Sequence, residues 1–304
     1  MEWSPPFVDD LRERLGSELF RRVAGPSGEK TRARVHGTPG PRWFGPDRPI
    51  RTVHGDASMF VGGLTALLLQ SLHPSAMAAV AAHSGFRGDP WGRLQRTSTF
   101  LAVTTFGTAD DARHAVERVR AVHERVRGTT SEGRPYRASD PHLLGWVHVV
   151  EVHGFLRAHL RYGASPLTRA GYDGYVADAA RIAEELGAED PPRSLAGLAL
   201  RLESYRHELG GTPEARETAR FLLRDPPIPR PARVPYALLT AAAVELLPPW
   251  ALGELGLPSL SRPARAAART GGRLATGGIR WAMRPPPPAL PPKRHDGPPG
   301  AGPG

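Results

Sequence analysis

Apolar residues recur along this chain at intervals of three and four, the spacing of helices with one buried stripe. Phe7, Leu11, Leu15 and Leu19, with Phe20, form such a stripe over Pro5 to Val23. Residues 25–51 break the pattern. Gly, Pro and Arg dominate there, with Trp43 and Phe44 as large apolar anchors, which predicts a surface loop or an arm across the body. Asp56 is a natural N-cap for a helix carrying Phe60, Leu64, Leu67, Leu68 and Leu72, apolar on most faces and therefore central. Gly62 and Gly63 weaken that helix by about 1 kcal/mol each relative to Ala. Something bulky must approach its backbone, either another helix or a flat cofactor. His73-Pro74 ends the helix. An alanine-rich helix (Ser75–Ser84), a turn (Gly85–Pro90) and a helix from Trp91 to Phe106 follow.

Thr108-x-x-Asp111 resembles a capping box with Asp in place of Glu. The helix it opens is expected to run to Arg127 and stop at Gly128. Its inward face reads Ala112, Ala115, Val116, Val119, Val122, His123 and Val126, so His123 is expected in the middle of an apolar face. Residues 129–139 are expected to be a loop. Asp140-Pro141 starts a helix through about Arg161, with His148 and Glu151 sharing its inward face. Further helical patterns cover Tyr172–Leu186, Leu195–Leu209, Pro213–Leu223 and Val234–Leu247, and residues 258–283 are amphipathic with Arg on the polar side. From Arg284 onward Pro and Gly dominate, which predicts a disordered tail. No alternating β pattern and no internal repeat occurs. The fold expected is all-α, eight to ten helices in one domain. An N-terminal helix and arm (1–52) precede a helical domain (53–257), a C-terminal helix (258–283) and the tail (284–304).

Composition narrows the chemistry. The 304 residues contain no cysteine, which excludes disulfides, iron–sulfur clusters, thiolate haem ligation and cysteine nucleophiles. The net charge of +10 comes almost entirely from arginine. It lacks the recognition motif or basic–aromatic interleaving of a nucleic-acid binder, and leaves peripheral contact with an anionic membrane surface open. Met1 to Gly25 has no apolar signal region and carries Asp9, Asp10, Glu13 and Glu18. Met59–Leu72 is too short for a membrane span. A soluble, cytoplasmic protein is expected. Phosphate-binding glycine loops, the dinucleotide fingerprint, HExxH and the nucleophile elbow are all missing.

Inward histidines on helices remain, together with Arg93, Arg96, Thr97, Phe100 and Thr104 on one helical face. A polar group aimed inward costs free energy until something satisfies it. His123 is either a core histidine bonded to a carbonyl or a ligand, because neutral imidazole is the usual axial ligand of haem. His148 is a second candidate ligand, or a partner of Glu151. Arg93 and Arg96 suit an ion pair with a carboxylate such as Glu151 or Asp89, or a haem propionate. His73 and His83 sit where helices stop and suit packing.

The ordered motifs Leu69-Gln70-Ser71-Leu72-His73-Pro74, His83-Ser84-Gly85-Phe86, Asp89-Pro90 and Arg93-Leu94-Gln95-Arg96-Thr97 resemble the catalytic domain of the rubber oxygenases (latex-clearing protein) and MpaB-type oxygenases. The likeness continues through Thr105-Phe106-Gly107, His123-x-x-Val126-x-Gly128, Asp140-Pro141-x-Leu143-Leu144-x-Trp146-Val147-His148, Leu246-Leu247-Pro248-Pro249 and Leu255-Gly256-Leu257. It covers roughly Val53 to Leu257. The resemblance implies a globin-like helical core holding a b-type haem, with O2 chemistry on C=C bonds of isoprenoid substrates. It assigns iron ligation to His123 and the distal side to Arg93, Arg96 and Thr97. Rubber oxygenase has lysine where this chain has Arg96. Arginine stays protonated, so a resting state with that side chain on the iron is not expected. The function expected is a haem b-dependent oxygenase acting with O2 on an unsaturated apolar small molecule. A non-catalytic helical haem or ligand carrier is the alternative.

Overall fold

Fourteen α-helices and one short hairpin make up the described part of a computed structural model, residues 6–83 and 88–284. The expected turn residues Gly85 and Phe86, and the expected tail beyond Arg284, lie outside it. The all-α expectation holds, with more helices than the eight to ten expected, in part because residues 25–51 are not simply loop. They contain α2 (Gly28–Gly37) and the start of α3 (Pro49–His54), which follow α1 (Pro6–Ala24). Trp43 and Phe44 anchor the arm as expected, both buried.

The centre is α4 (Met59–Gln70) packed on α8 (Pro141–Tyr162). Leu68, Leu69, Trp146 and Val149 have no solvent exposure, and each such side chain stabilises by roughly 1.5–3 kcal/mol. The two glycines of α4 divide in role. A Cβ on Gly62 would lie 2.8 Å from the Phe155 Cα, and one on Gly154 would lie 2.5 Å from the Gly62 carbonyl oxygen. A helix therefore fills this close approach. Gly63 has only ordinary contact, 3.8 Å to the Phe155 ring.

After α4 the chain bends by 108° into α5 (Pro74–His83). That pair matches a membrane span in length and composition only when its two members are taken together. No single helix among the described residues is long and apolar enough to cross a membrane. Next come α6 (Pro90–Phe106) and α7 (Ala109–His123). The Thr108 hydroxyl accepts from the Asp111 N–H as the capping pattern predicts.

The end of α7 differs from the sequence expectation. The helix stops at His123, and strands β1 (Arg127–Thr129) and β2 (Pro135–Arg137) pair antiparallel beyond it. Gly128 is not a helix C′ residue. It faces Tyr136 across the hairpin, where a Cβ would come within 2.6 Å of the tyrosine hydroxyl. His123 is thus the last helical residue rather than a mid-face one. Pairing with a segment several residues downstream, which helical periodicity does not report, sets this end.

Asp140 caps α8 through the Leu143 N–H. The remaining helices are α9 (Arg169–Leu186), α10 (Leu195–Ser204), α11 (Pro213–Arg224), α12 (Arg233–Leu246), α13 (Pro249–Glu254) and α14 (Arg262–Ala282). Asp56 does not cap α4, whose N-cap is Ser58. Its carboxylate accepts from the backbone N–H groups of Ser58 and Ala164 and pairs with Arg280, fastening α14 to the core.

Candidate functional site

Helices α6, α7, α8 and α9, with the end of α3, line a cavity of about 80 Å³. Most of its wall is apolar: Phe100 and Leu101 from α6, Leu144, Val147, Val152 and Phe155 from α8, Ile182 and Leu186 from α9. Five polar side chains break that wall: His54, His123, His148, Glu151 and Tyr175. Ligand pockets commonly show a few polar groups in an apolar lining.

Both histidines singled out by sequence reach this one cavity. Nδ1 of His123 and Nε2 of His148 are buried and have no hydrogen-bond partner among the described residues. Burial lowers both imidazoles, His148 to about 4, so each is neutral at pH 7 and offers a ring nitrogen lone pair. Buried polar atoms left unpaired are uncommon, and each calls for a partner. The expected bond from Glu151 does not satisfy His148 Nε2. Burial pushes the Glu151 carboxyl up to about 7, so it is poised to hold or release a proton near neutrality.

His54 and Tyr175 were not picked from the sequence. His54 Nδ1 lies 2.8 Å from the Thr105 hydroxyl and Nε2 lies 3.4 Å from the Tyr175 hydroxyl. Burial lowers His54 to about 3 and raises Tyr175 well above the usual phenol range, with Glu151 adding to the latter. The α9 pattern Tyr172, Tyr175, Val176, Ala179, Ile182, Ala183 could have flagged Tyr175 as core-facing. Nothing local flags His54, which ends a six-residue helix in a Pro- and Arg-rich stretch.

The structure does not bring Arg93, Arg96 and Thr97 into the cavity wall. They precede Phe100 by seven, four and three residues, so they continue its helical face outward. Arg93 is half-buried, and burial with the nearby Arg96 charge lowers its guanidinium to about 10, still protonated at pH 7. Arg96 and Thr97 are exposed, and Arg96 donates to Asp89 at 3.2 Å while Asp89 caps α6 through the Gly92 N–H. His73 is buried 3.5 Å from Glu208, and His83 is exposed at the end of α5.

Among the described residues no group of three or more His, Asp or Glu side chains is placed to hold a metal ion by itself. The donor set in the cavity is one or two imidazoles. Such a set suits a metal already held by a macrocycle, which takes one or two axial ligands from the protein.

These features define a helical protein with a buried, histidine-lined apolar cavity. The chain belongs to the family of the ER-bound oxygenase mpaB/B' and rubber oxygenase catalytic domain, which matches residues 51–281. It therefore carries an oxygenase-type catalytic domain. An uncharacterized protein of Mycobacterium tuberculosis and one of Mycobacterium bovis are each 37% identical to it over 103 residues, 32% of this chain and 38% of theirs. The match thus spans well under half the length of these curated relatives. No solved structure matches the chain.

Proposed function

We propose that the chain is a haem b-dependent oxygenase that acts with O2 on an unsaturated apolar small molecule, isoprenoid- or lipid-like. The observation that carries this reading is the pair of neutral imidazoles, His123 and His148, each with one buried ring nitrogen that has no hydrogen-bond partner among the described residues, facing one apolar cavity. His123 would hold the iron through a ring nitrogen. His148 would meet the cofactor as a second ligand or contact. Haem supplies, when bound, the redox chemistry that O2 needs to react with a C=C bond.

The protein's own residues do the rest. The leucine, valine and phenylalanine lining excludes water and accepts hydrocarbon. Glu151 holds a proton at its carboxyl near neutral pH and is the cavity's candidate acid–base group. Tyr175 fixes the His54 ring through its hydroxyl. Arg93, on the face that leads out from Phe100, supplies a permanent positive charge for a propionate or a polar substrate group. Arg96 and Thr97 act further out on the same face.

A non-catalytic haem or ligand carrier is the second reading, favoured by the solvent exposure of Arg96 and Thr97. The absorption spectrum of the purified protein separates the readings. A Soret band is expected, lost in His123→Ala and shifted but retained in His148→Ala. A colourless protein that takes up no haemin defeats both haem readings. Haem binding without O2 consumption, with any polyprenyl or unsaturated lipid offered, leaves the carrier.

A further inference from the structure

A second concavity, of about 330 Å³, lies on another side of α8 and shares no residue with the first. His153, Arg157 and Arg161 are spaced by four and form one stripe of α8 along its wall. Arg265 and Arg269, also four apart, face them from α14, and Glu245 comes from α12. Leu246, Leu247 and Leu252 complete the wall with apolar surface. Four guanidinium groups against one carboxylate leave three positive charges around a hollow.

The charges are not used up internally. Arg269 is paired with Glu245, both its contacts to Oε1 at 2.8 Å. Arg265 donates its Nε to the Leu260 carbonyl. Arg157 and Arg161 form no ion pair or side-chain hydrogen bond among the described residues. The Glu245 side chain is only 3% exposed, yet its Oε2 has no partner among the described residues. Nε2 of His153 is likewise buried without one. Burial, with the Arg157 charge adding, lowers His153 to about 4, so this imidazole is neutral. The hollow therefore presents clustered guanidinium donors, one carboxylate oxygen that lacks a donor, and one neutral ring nitrogen.

We infer that this concavity binds a phosphate monoester group, its oxygens held by Arg157, Arg161 and Arg265 and its acidic hydroxyl facing Glu245. Guanidinium forks match phosphate oxygens in geometry and charge. A carboxylate ligand offers two oxygens to the guanidiniums and no donor for Glu245 Oε2. A phosphomonoester monoanion, with the same single charge, has three terminal oxygens, two to accept from guanidiniums and one bearing the hydroxyl that Glu245 Oε2 lacks. The apolar wall formed by the three leucines leaves room for a hydrocarbon substituent on the ester. The source is either a soluble phosphomonoester or the headgroup of a phosphomonoester lipid, and the two share this chemistry.

The test uses the full chain at low ionic strength. Calorimetric titration with glycerol 1-phosphate probes the soluble source. Sedimentation with phosphatidylcholine vesicles, with and without phosphatidic acid, probes the lipid source. The Arg157→Ala/Arg161→Ala protein removes two guanidiniums that brace nothing internal. Arg113→Ala/Arg118→Ala on the exposed face of α7 removes the same charge elsewhere. Saturable binding in either arm is expected, weakened on the order of tenfold or more in the α8 double variant and unchanged in the α7 one. Binding of glycerol 1-phosphate assigns a soluble ligand; binding confined to phosphatidic acid vesicles assigns a lipid. No saturable binding in either arm overturns the inference. Equal weakening in both double variants also overturns it, because bulk charge alone would then account for the affinity.

Discussion

Glu151 and His54 face the same cavity and titrate in opposite senses. Glu151 is raised by burial from its ordinary 4.5 to about 7. The folded chain keeps a proton there that the unfolded chain releases. This contribution is at its most favourable below pH 4.5 and fades as pH rises toward 7. Above that, holding the ionised carboxylate costs about 3 kcal/mol. His54 is lowered from 6.5 to about 3, so its contribution is complete above pH 6.5 and fades as pH falls toward 3. In urea titrations of cofactor-free protein at about pH 8, Glu151→Gln is expected to gain roughly 2–3 kcal/mol over the parent. Below pH 4.5 the two proteins are expected to agree. Equal stabilities at the higher pH would show that Glu151 is well solvated.

At the scale of elements, the α4–α8 contact makes a paired prediction. Ala in place of Gly62 gains about 1 kcal/mol of helix propensity, but its Cβ meets backbone that cannot move aside. Overpacking of this kind costs typically 1–3 kcal/mol. Gly62→Ala and Gly154→Ala are expected to lower Tm, and Gly63→Ala, with room for its methyl, to leave it unchanged or raise it. The reverse order would mean that the two helices are separated more widely. Sequence periodicity made most of these elements legible, because a helix repeats every 3.6 residues whatever it packs on. The caps at Thr108 and Asp140 were legible because their bonds are local. The end of α7, the hairpin and the place of His54 were not, because each depends on a partner outside the helix itself: β2, Tyr136, and Tyr175 with Thr105. His123 and His148 were read as inward-facing, but only the fold puts both on one cavity with Glu151.

For the whole molecule, the Asp56–Arg280 pair is the clasp between the last helix and the core. Burial would raise the Asp56 carboxyl, but hydrogen bonds from Arg280, Ser58 and Ala164 outweigh it and hold it at about 2. Its stabilisation is complete above pH 3.8 and is lost as pH falls through about 2. Asp56→Asn is expected to cost about 2 kcal/mol or more at neutral pH by leaving Arg280 unpaired against the core. Trypsin should then cut first at the arginines of α14, a pattern that the parent protein does not show. Unchanged stability and cleavage would mean that α14 is held by its apolar face alone.

The 108° bend between α4 and α5 bears on how the chain is made. During synthesis α4 emerges about ninety residues before the end of α8, the helix that covers it. At roughly 5–20 residues per second that interval lasts about 5–20 s. For those seconds the nascent chain displays two apolar helices, together greasy enough to resemble a membrane span, with nothing to bury them. Ribosome-bound chains ending near Asp140 should therefore recruit ribosome-associated holdases, and chains extended well past Tyr162 should release them.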